Sequence, residues 1–177
     1  MWGTMGKKLL LAMYLATIAS SAHAGVWLQS SLAFLRSEEQ TGKSSASITN
    51  QILTSSSIGY TFRQGFFLGT QGLTSRNSHS GEFLWAIGPK GGFLLSGFEL
   101  TSAYLPFARD TLGAVRRSGG GFAVNLGYSW SLIKGVVLLG IHGTYWLTNL
   151  TEENDTALSD KIQIRHLSPQ LALGFHF

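Results

Sequence analysis

Two short stretches hold the side chains that hydrolytic chemistry would need. His142-Gly143-Thr144, with Glu152 and Glu153 downstream, and His166-Leu167-Ser168 each set an imidazole two residues from a hydroxyl. A hydroxyl becomes a nucleophile when an adjacent base takes its proton and a third group holds that base in place. The second stretch runs into Pro169 with no acidic residue after it, and the first offers Thr rather than Ser. Neither completes a convincing triple, so no catalytic residue is assigned. His142 and His166 are read as polar groups of a hydrogen-bond network, since buried polar groups are normally satisfied. A metal or acid-base pair is the weaker reading, because no carboxylate accompanies the two histidines in their own strands. Lys90 and Glu99 form a second candidate pair, expected to meet as a buried ion pair. The chain has no cysteine, which excludes thiol catalysis, thiolate metal sites and disulfide staples. No metal or cofactor is expected.

The elements that would position these residues are extended runs. Residues 121–130, "GFAVNLGYSW", alternate most cleanly: Phe122, Val124, Leu126, Tyr128 and Trp130 oppose Ala123, Asn125, Gly127 and Ser129. A period of two is that of a β-strand with unlike faces. "VVLLGIHGTYWLT" repeats it, with Val137, Leu139, Ile141, Tyr145 and Leu147 opposite Gly140, His142 and Thr144. "FELTSAYLPF" sets Phe98, Leu100 and Tyr104 against Glu99, Thr101 and Ala103, and the closing "LSPQLALGFHF" repeats Leu167, Leu171, Leu173, Phe175 and Phe177. Further runs are "VWLQSSLAFLR", "SSSIGYTF", "FFLGTQGLTS" and "EFLWAIGPKGGFLL". In the third of these Phe66 and Phe67 blur the face. In the fourth, Pro89 and its glycines predict a bend or bulge.

Eight strands result, an all-β fold. Tight turns are expected at Arg63-Gln64-Gly65, Ser96-Gly97 and Ile133-Lys134-Gly135. Polar loops are expected at residues 37–47, 76–81, 108–120 and 149–160, the second of them short. An even number of strands in up-and-down order brings both ends of the chain to the tight-turn side.

Charged residues are only 12% of the chain, about half the usual share, too few for an ordinary water-facing surface. After the N-terminal segment, no run reaches the eighteen or so consecutive apolar residues of a membrane helix. Low charge with alternating strands points to an eight-stranded antiparallel up-and-down transmembrane β-barrel, apolar outside and small or polar inside. The aromatic face is too bulky for eight strands to enclose, so it is placed outward. It would form girdles at Tyr60, Phe62, Tyr128, Trp130 and Phe175 near the turns, and at Phe34, Trp85, Tyr104 and Tyr145 near the loops. Lys90, Glu99, Asn125, His142 and His166 then line the lumen. Because side chains fill so narrow a bore, a plugging ion pair is expected between Lys90 and Glu99 rather than a gated conduit.

Residues 1–24 have the pattern of a cleaved signal peptide: Lys7 and Lys8, an apolar Leu9–Ala19, and Ala22-His23-Ala24. The barrel would occupy residues 25–177 as one domain. The 13 lysines and arginines include Lys7 and Lys8. The remainder is near balance with 9 acidic residues, which gives no reason to expect nucleic acid.

With these features the chain resembles the small eight-stranded outer-membrane barrels of Gram-negative bacteria, the OmpA and OmpX type. The likeness rests on the signal segment, the turn and loop alternation, "IGPKGGF" (87–93) and the terminal "LALGFHF". The resemblance implies residence in the outer membrane, both termini periplasmic, as a monomer. It also implies contact with lipid and lipopolysaccharide, and handling by periplasmic chaperones and the barrel assembly machinery. That machinery would read Leu171, Leu173, Phe175 and Phe177. Some outer-membrane barrels of this size are lipid A deacylases carrying His-x-Ser with a Glu further on. The two stretches of the opening depart from that pattern.

The expected function is thus non-enzymatic, structural or surface-interacting through the loops. The alternatives are a lipid A acyl-modifying enzyme and a periplasmic barrel holding a small apolar ligand. Arg109, Arg116 and Arg117, with few acids nearby in sequence, are read either as a solvated loop or as contacts to lipopolysaccharide phosphates. Asn149-Leu150-Thr151 and Asn154-Asp155-Thr156 match glycosylation sequons, which need a eukaryotic secretory route and are set aside.

Overall fold

A computed structural model describes residues 24–41, 47–77, 80–133 and 136–177, with only the backbone described for residues 35–41 and 47–50. The proposed signal segment, apart from Ala24, lies outside the described residues, as do Lys134 and Gly135 of the third turn. Eight strands follow in chain order: β1 (Gly25–Thr41), β2 (Ser47–Thr61), β3 (Phe66–Arg76), β4 (Phe83–Leu95), β5 (Phe98–Leu112), β6 (Val115–Ile133), β7 (Val137–Glu153) and β8 (Thr156–His176). Each pairs antiparallel with its sequence neighbours, and β8 closes on β1 to make a barrel. Val26 and Phe177 exchange two backbone hydrogen bonds of 2.9 Å, so the seam is paired to the last residue.

The turn-side connections follow their residues. Gly65 N donates to Phe62 O at 2.8 Å across the first. In the second, Ser96 and Gly97 both hold positive φ, 49° and 89°, the twist that suits a two-residue hairpin. In the third, Val136 N donates to Ile133 O at 2.7 Å.

At the other end the structure corrects the sequence reading. Residues 108–120 are strand, interrupted only by Gly113 and Ala114, and residues 149–160 are strand around Asn154-Asp155. Residues 37–41 and 47 are also strand, and residues 42–46 fall outside the described residues. The polar residues along these stretches have the composition of loops because the strands continue beyond the apolar belt, where polar side chains suit both faces.

The exterior is apolar and the interior mixed. Outside, Tyr60, Phe62, Phe66 and Phe93 form a chain of ring contacts, as do Tyr128 and Trp130. Phe34, Tyr104, Phe107 and Tyr145 are exposed nearer the other end. Phe66 faces out and Phe67 is buried, which settles the facing of β3. Three bulky aromatics do enter the bore, Trp27, Phe67 and Trp146, although small and polar residues were expected there.

The register shift does occur beside Pro89, but the extra residue belongs to β5. Gly88 and Pro89 stand opposite Tyr104, Leu105 and Pro106, and β5 carries an extra residue against β6 at the same place. Pro89 itself keeps its register with Thr70. The bulge at Pro106 reverses the facing of β5, so that Ala103 and Leu105 point inward before it and Ala108 and Asp110 after it.

Candidate functional site

The lumen is organised in layers. Near the turn end, Glu99 collects four partners from four other positions on the wall. Lys90 Nζ lies 2.8 Å from its Oε1, and both side chains are 2% exposed. Thr101 Oγ1 donates to the same oxygen at 2.7 Å. Oε2 receives Gln29 Nε2 at 3.2 Å and His142 Nδ1 at 3.1 Å. With Nδ1 turned to the carboxylate, the imidazole is placed to accept at Nε2, where Gln29 Nε2 and Ser129 Oγ stand 3.3 Å and 3.1 Å away. Lys90 also reaches Ser57 Oγ at 3.5 Å and sits 5.6 Å from the centre of the Phe67 ring. A buried ion pair persists when further hydrogen bonds satisfy its remaining atoms, as here.

A second layer continues this one through Thr101. Asn125 and Gln71 exchange amide hydrogen bonds at 3.1 Å and 3.3 Å. Asn125 Nδ2 also donates to Thr101 Oγ1 at 3.2 Å, Thr144 Oγ1 donates to Asn125 Oδ1 at 2.8 Å, and Gln71 Nε2 donates to Ser55 Oγ at 2.9 Å. The network touches strands β1 to β7 without a break. Sequence reasoning placed Asn125, His142, Lys90 and Glu99 inward but singled out neither Gln29 nor Gln71; their parity within the alternation was the available signal.

Above it the bore turns apolar. Leu53, Leu73, Leu105, Leu150 and Trp146 are fully buried and pack with Ala103, Ala123, Ile162 and Ile164. His166 stands here, its ring 4.6 Å from that of Trp146, and neither ring nitrogen has a hydrogen-bond partner among the described residues. The two histidines are not brought together: His142 pairs in register with Gln170, and His166 with Trp146. Among the described residues no group of three or more potential ligands is placed to hold a metal.

Neither hydroxyl is paired with a base. Thr144 donates to Asn125, and Ser168 Oγ donates to Pro169 O at 3.2 Å. Glu152 and Glu153 lie at the far end of β7 from His142, where Glu152 accepts from Ser118 Oγ at 2.7 Å and Glu153 binds Arg117 at 3.1 Å.

The arginine cluster is also revised. Arg117 is not short of acids, since Asp110 at 3.4 Å and Glu153 at 3.1 Å flank it. These acids were missed because the loop reading hid the cross-strand pairing of Arg117 with both. Arg109 and Arg116 remain solvent-facing and border a loop-end hollow of about 530 Å³ with Asn154 and Asp155.

No family model and no curated sequence matches the chain. Among solved structures, Neisserial surface protein A superposes with a TM-score of 0.56 at 14% identity, over 88% of this chain and 99% of that one. This is an eight-stranded outer-membrane barrel fold. Weaker superpositions are found with two other proteins. One is Ail, the attachment invasion locus protein of Yersinia pestis solved with the heparin analogue sucrose octasulfate: TM-score 0.43, 9% identity, 84% of this chain and 99% of that one. The other is the outer membrane protease OmpT of Escherichia coli: TM-score 0.38, 12% identity, 90% and 100%. For the barrel, these likenesses concern fold, and its activity has to be argued from the lumen and surface described above.

Proposed function

We propose that this barrel resides in the outer membrane with its tight turns and both termini in the periplasm. There it acts as a monomer without catalysis, in envelope structure or surface interaction through its loop-end hairpins. The observation that carries the reading is the closed lumen. His142, Thr144, His166 and Ser168 point into it and are buried, whereas the acyl chains of a lipid substrate lie outside. Satisfied polar networks and packed apolar side chains rigidify a wall; they leave no bore for a solute. The apolar exterior argues against a periplasmic carrier, whose outer face would be wetted.

Lipopolysaccharide is the partner this reading implies. Arg109 and Arg116 are the guanidinium groups of the loop-end hollow that have no acid partner among the described residues, and arginine binds phosphate in bidentate fashion. Arg117, tied to Asp110 and Glu153, serves the hairpin. During biogenesis the outward Leu171, Leu173 and Phe177, with Phe175 stacked on Phe177, would be presented to the assembly machinery.

Mass spectrometry of lipid A from cells with and without the protein tests the absence of catalysis. Identical acylation is expected, and any acyl group gained or lost with expression would overturn the reading. Protease treatment of intact cells should cut at the Gly113 and Asn154 hairpins; cleavage only after the outer membrane is opened would reverse the proposed orientation.

A further inference from the structure

Ser129, His142 and Glu99 stand in line on the inner faces of three adjacent strands, β6, β7 and β5. Ser129 Oγ lies 3.1 Å from His142 Nε2, and His142 Nδ1 lies 3.1 Å from Glu99 Oε2. A carboxylate that holds Nδ1–H leaves the lone pair of Nε2 for the hydroxyl proton, and this order of hydroxyl, base and orienting acid is the one that activates a nucleophile. Gln29 Nε2 approaches the same nitrogen at 3.3 Å, so Ser129 is the nearer partner. Two glycines make room for the line. Gly127 stands between Glu99 and His142 in register, and a Cβ added there would collide with the His142 ring. Gly140 pairs with Ser129, and its Cβ would collide with both Ser129 Oγ and His142 Nε2. The three residues are far apart in the chain, so no spacing in the sequence announces them.

The line borders a hollow of about 450 Å³ at the turn end of the bore, where Ser129 and Glu99 meet Trp27, Leu94, Leu138 and Thr61. Trp27 and Leu94 are buried with Phe67 in an apolar cluster against which Leu138 packs. Thr61 Oγ1 is buried and has no hydrogen-bond partner among the described residues. Apolar walls with a few polar groups at one end suit a short acyl chain whose carbonyl reaches the serine. One element of a turnover site is absent. Ser129 N donates to Gly97 O at 2.7 Å, so the N–H of the nucleophile itself is not offered to a tetrahedral oxyanion, and such a donor is worth about a hundredfold or more in rate.

We propose that Ser129 is an acylation site, modified once by an activated ester or thioester that enters from the turn end. Oγ bonds to the carbonyl carbon while His142 Nε2 takes its proton. The bond to the leaving oxygen or sulfur then breaks, and the proton passes from Nε2 to that leaving group. The imidazole is neutral again, and Glu99 has held it in place without moving a proton. A good leaving group carries this step, whereas release of the acyl group by water would have to expel the serine oxygen, a poor leaving group, without the oxyanion donor. Ser129 therefore keeps the acyl group. That is a modification of the barrel and leaves it without turnover, as proposed above.

The test is to incubate the full barrel, extracted in mild detergent, with p-nitrophenyl butyrate and to map its peptides by mass spectrometry. Ser129 should take up one butyryl group per barrel, with release of one equivalent of nitrophenolate. His142→Gln should slow this about a hundredfold, and Leu138→Trp, which fills the hollow from its apolar wall, should slow it as well. Ser168→Ala, at a hydroxyl bonded to Pro169 O, should leave it unchanged. Each variant is accepted as folded only if its unboiled and boiled forms migrate differently on a gel; if His142→Gln does not fold, the wild type and Leu138→Trp decide. No label at Ser129 in the folded wild type, or labelling at the wild-type rate in folded His142→Gln or Leu138→Trp, would overturn the site. Continued release of nitrophenolate that disappears in Ser129→Ala would overturn the single modification and, with it, the absence of catalysis. Unaltered lipid A together with an unlabelled Ser129 would remove this site alone.

Discussion

Glu99 carries a negative charge into a bore where it is almost wholly shielded from water, and Lys90, His142, Gln29 and Thr101 all converge on it. Removing one partner of such a pair leaves an uncompensated buried charge. Lys90→Met should therefore destabilise the barrel by about 3–5 kcal/mol, while the double variant Lys90→Met/Glu99→Leu should recover most of that loss. Urea unfolding in lipid vesicles measures both; a single variant within about 1 kcal/mol of wild type would show that Glu99 is not held by Lys90. His166 makes the opposite case. Its nitrogens have no hydrogen-bond partner among the described residues and lie against Trp146 in an apolar layer, so His166→Phe removes a desolvation cost at similar volume. It should be neutral or stabilising by about 1 kcal/mol. A loss of stability in the same assay would mean that the imidazole has a partner in the membrane-embedded protein.

At the scale of elements, the strands that cross the apolar belt were legible from sequence because lipid and lumen demand unlike side chains. Phe122 to Trp130 shows this in one reading, with every even position outward and every odd one inward. That contrast fades past Pro106, where the strands leave the belt and carry Arg, Asp, Ser and Gly on both faces. The outer parts of β5, β6, β7 and β8 consequently read as loops, and the Asp110–Arg117–Glu153 contacts within them were invisible. Pro89 drew attention to the right level of the barrel and the wrong strand, since sequence cannot say which of two neighbours takes the extra residue. The Lys90–Glu99 meeting was legible because both residues break an otherwise small and apolar inner face. Trp146 was not, because its neighbours Tyr145 and Leu147 are equally apolar.

The bulge at Pro106 offers a direct test of this account. Deleting Pro106 removes the extra residue and should give strict alternation with Arg109 still outward and Asp110 still inward. Single cysteines at the two positions, labelled with a water-soluble maleimide in the folded barrel, should react at 109 and not at 110 in both the wild-type and the deletion backgrounds. Reaction at 110 in the deletion would show that the extra residue is not the one at this bulge.

For the whole molecule, the layered lumen supports the proposal of a barrel plugged along its bore, which presents to its surroundings its belt and its two ends. Purified barrel in planar bilayers should give no conductance steps; steady steps would mean that the Lys90–Glu99 layer opens. Replacing Arg109 and Arg116 together by Gln should make cells more sensitive to detergent or chelator if these groups bridge lipopolysaccharide phosphates, and unchanged sensitivity would count against that contact. The most direct test of the central claim is fractionation of the native host, with the membrane extract run on a gel both boiled and unboiled. A band confined to the outer-membrane fraction that changes mobility on boiling is the predicted result. A protein recovered in the soluble fraction, migrating identically in both lanes, would contradict it.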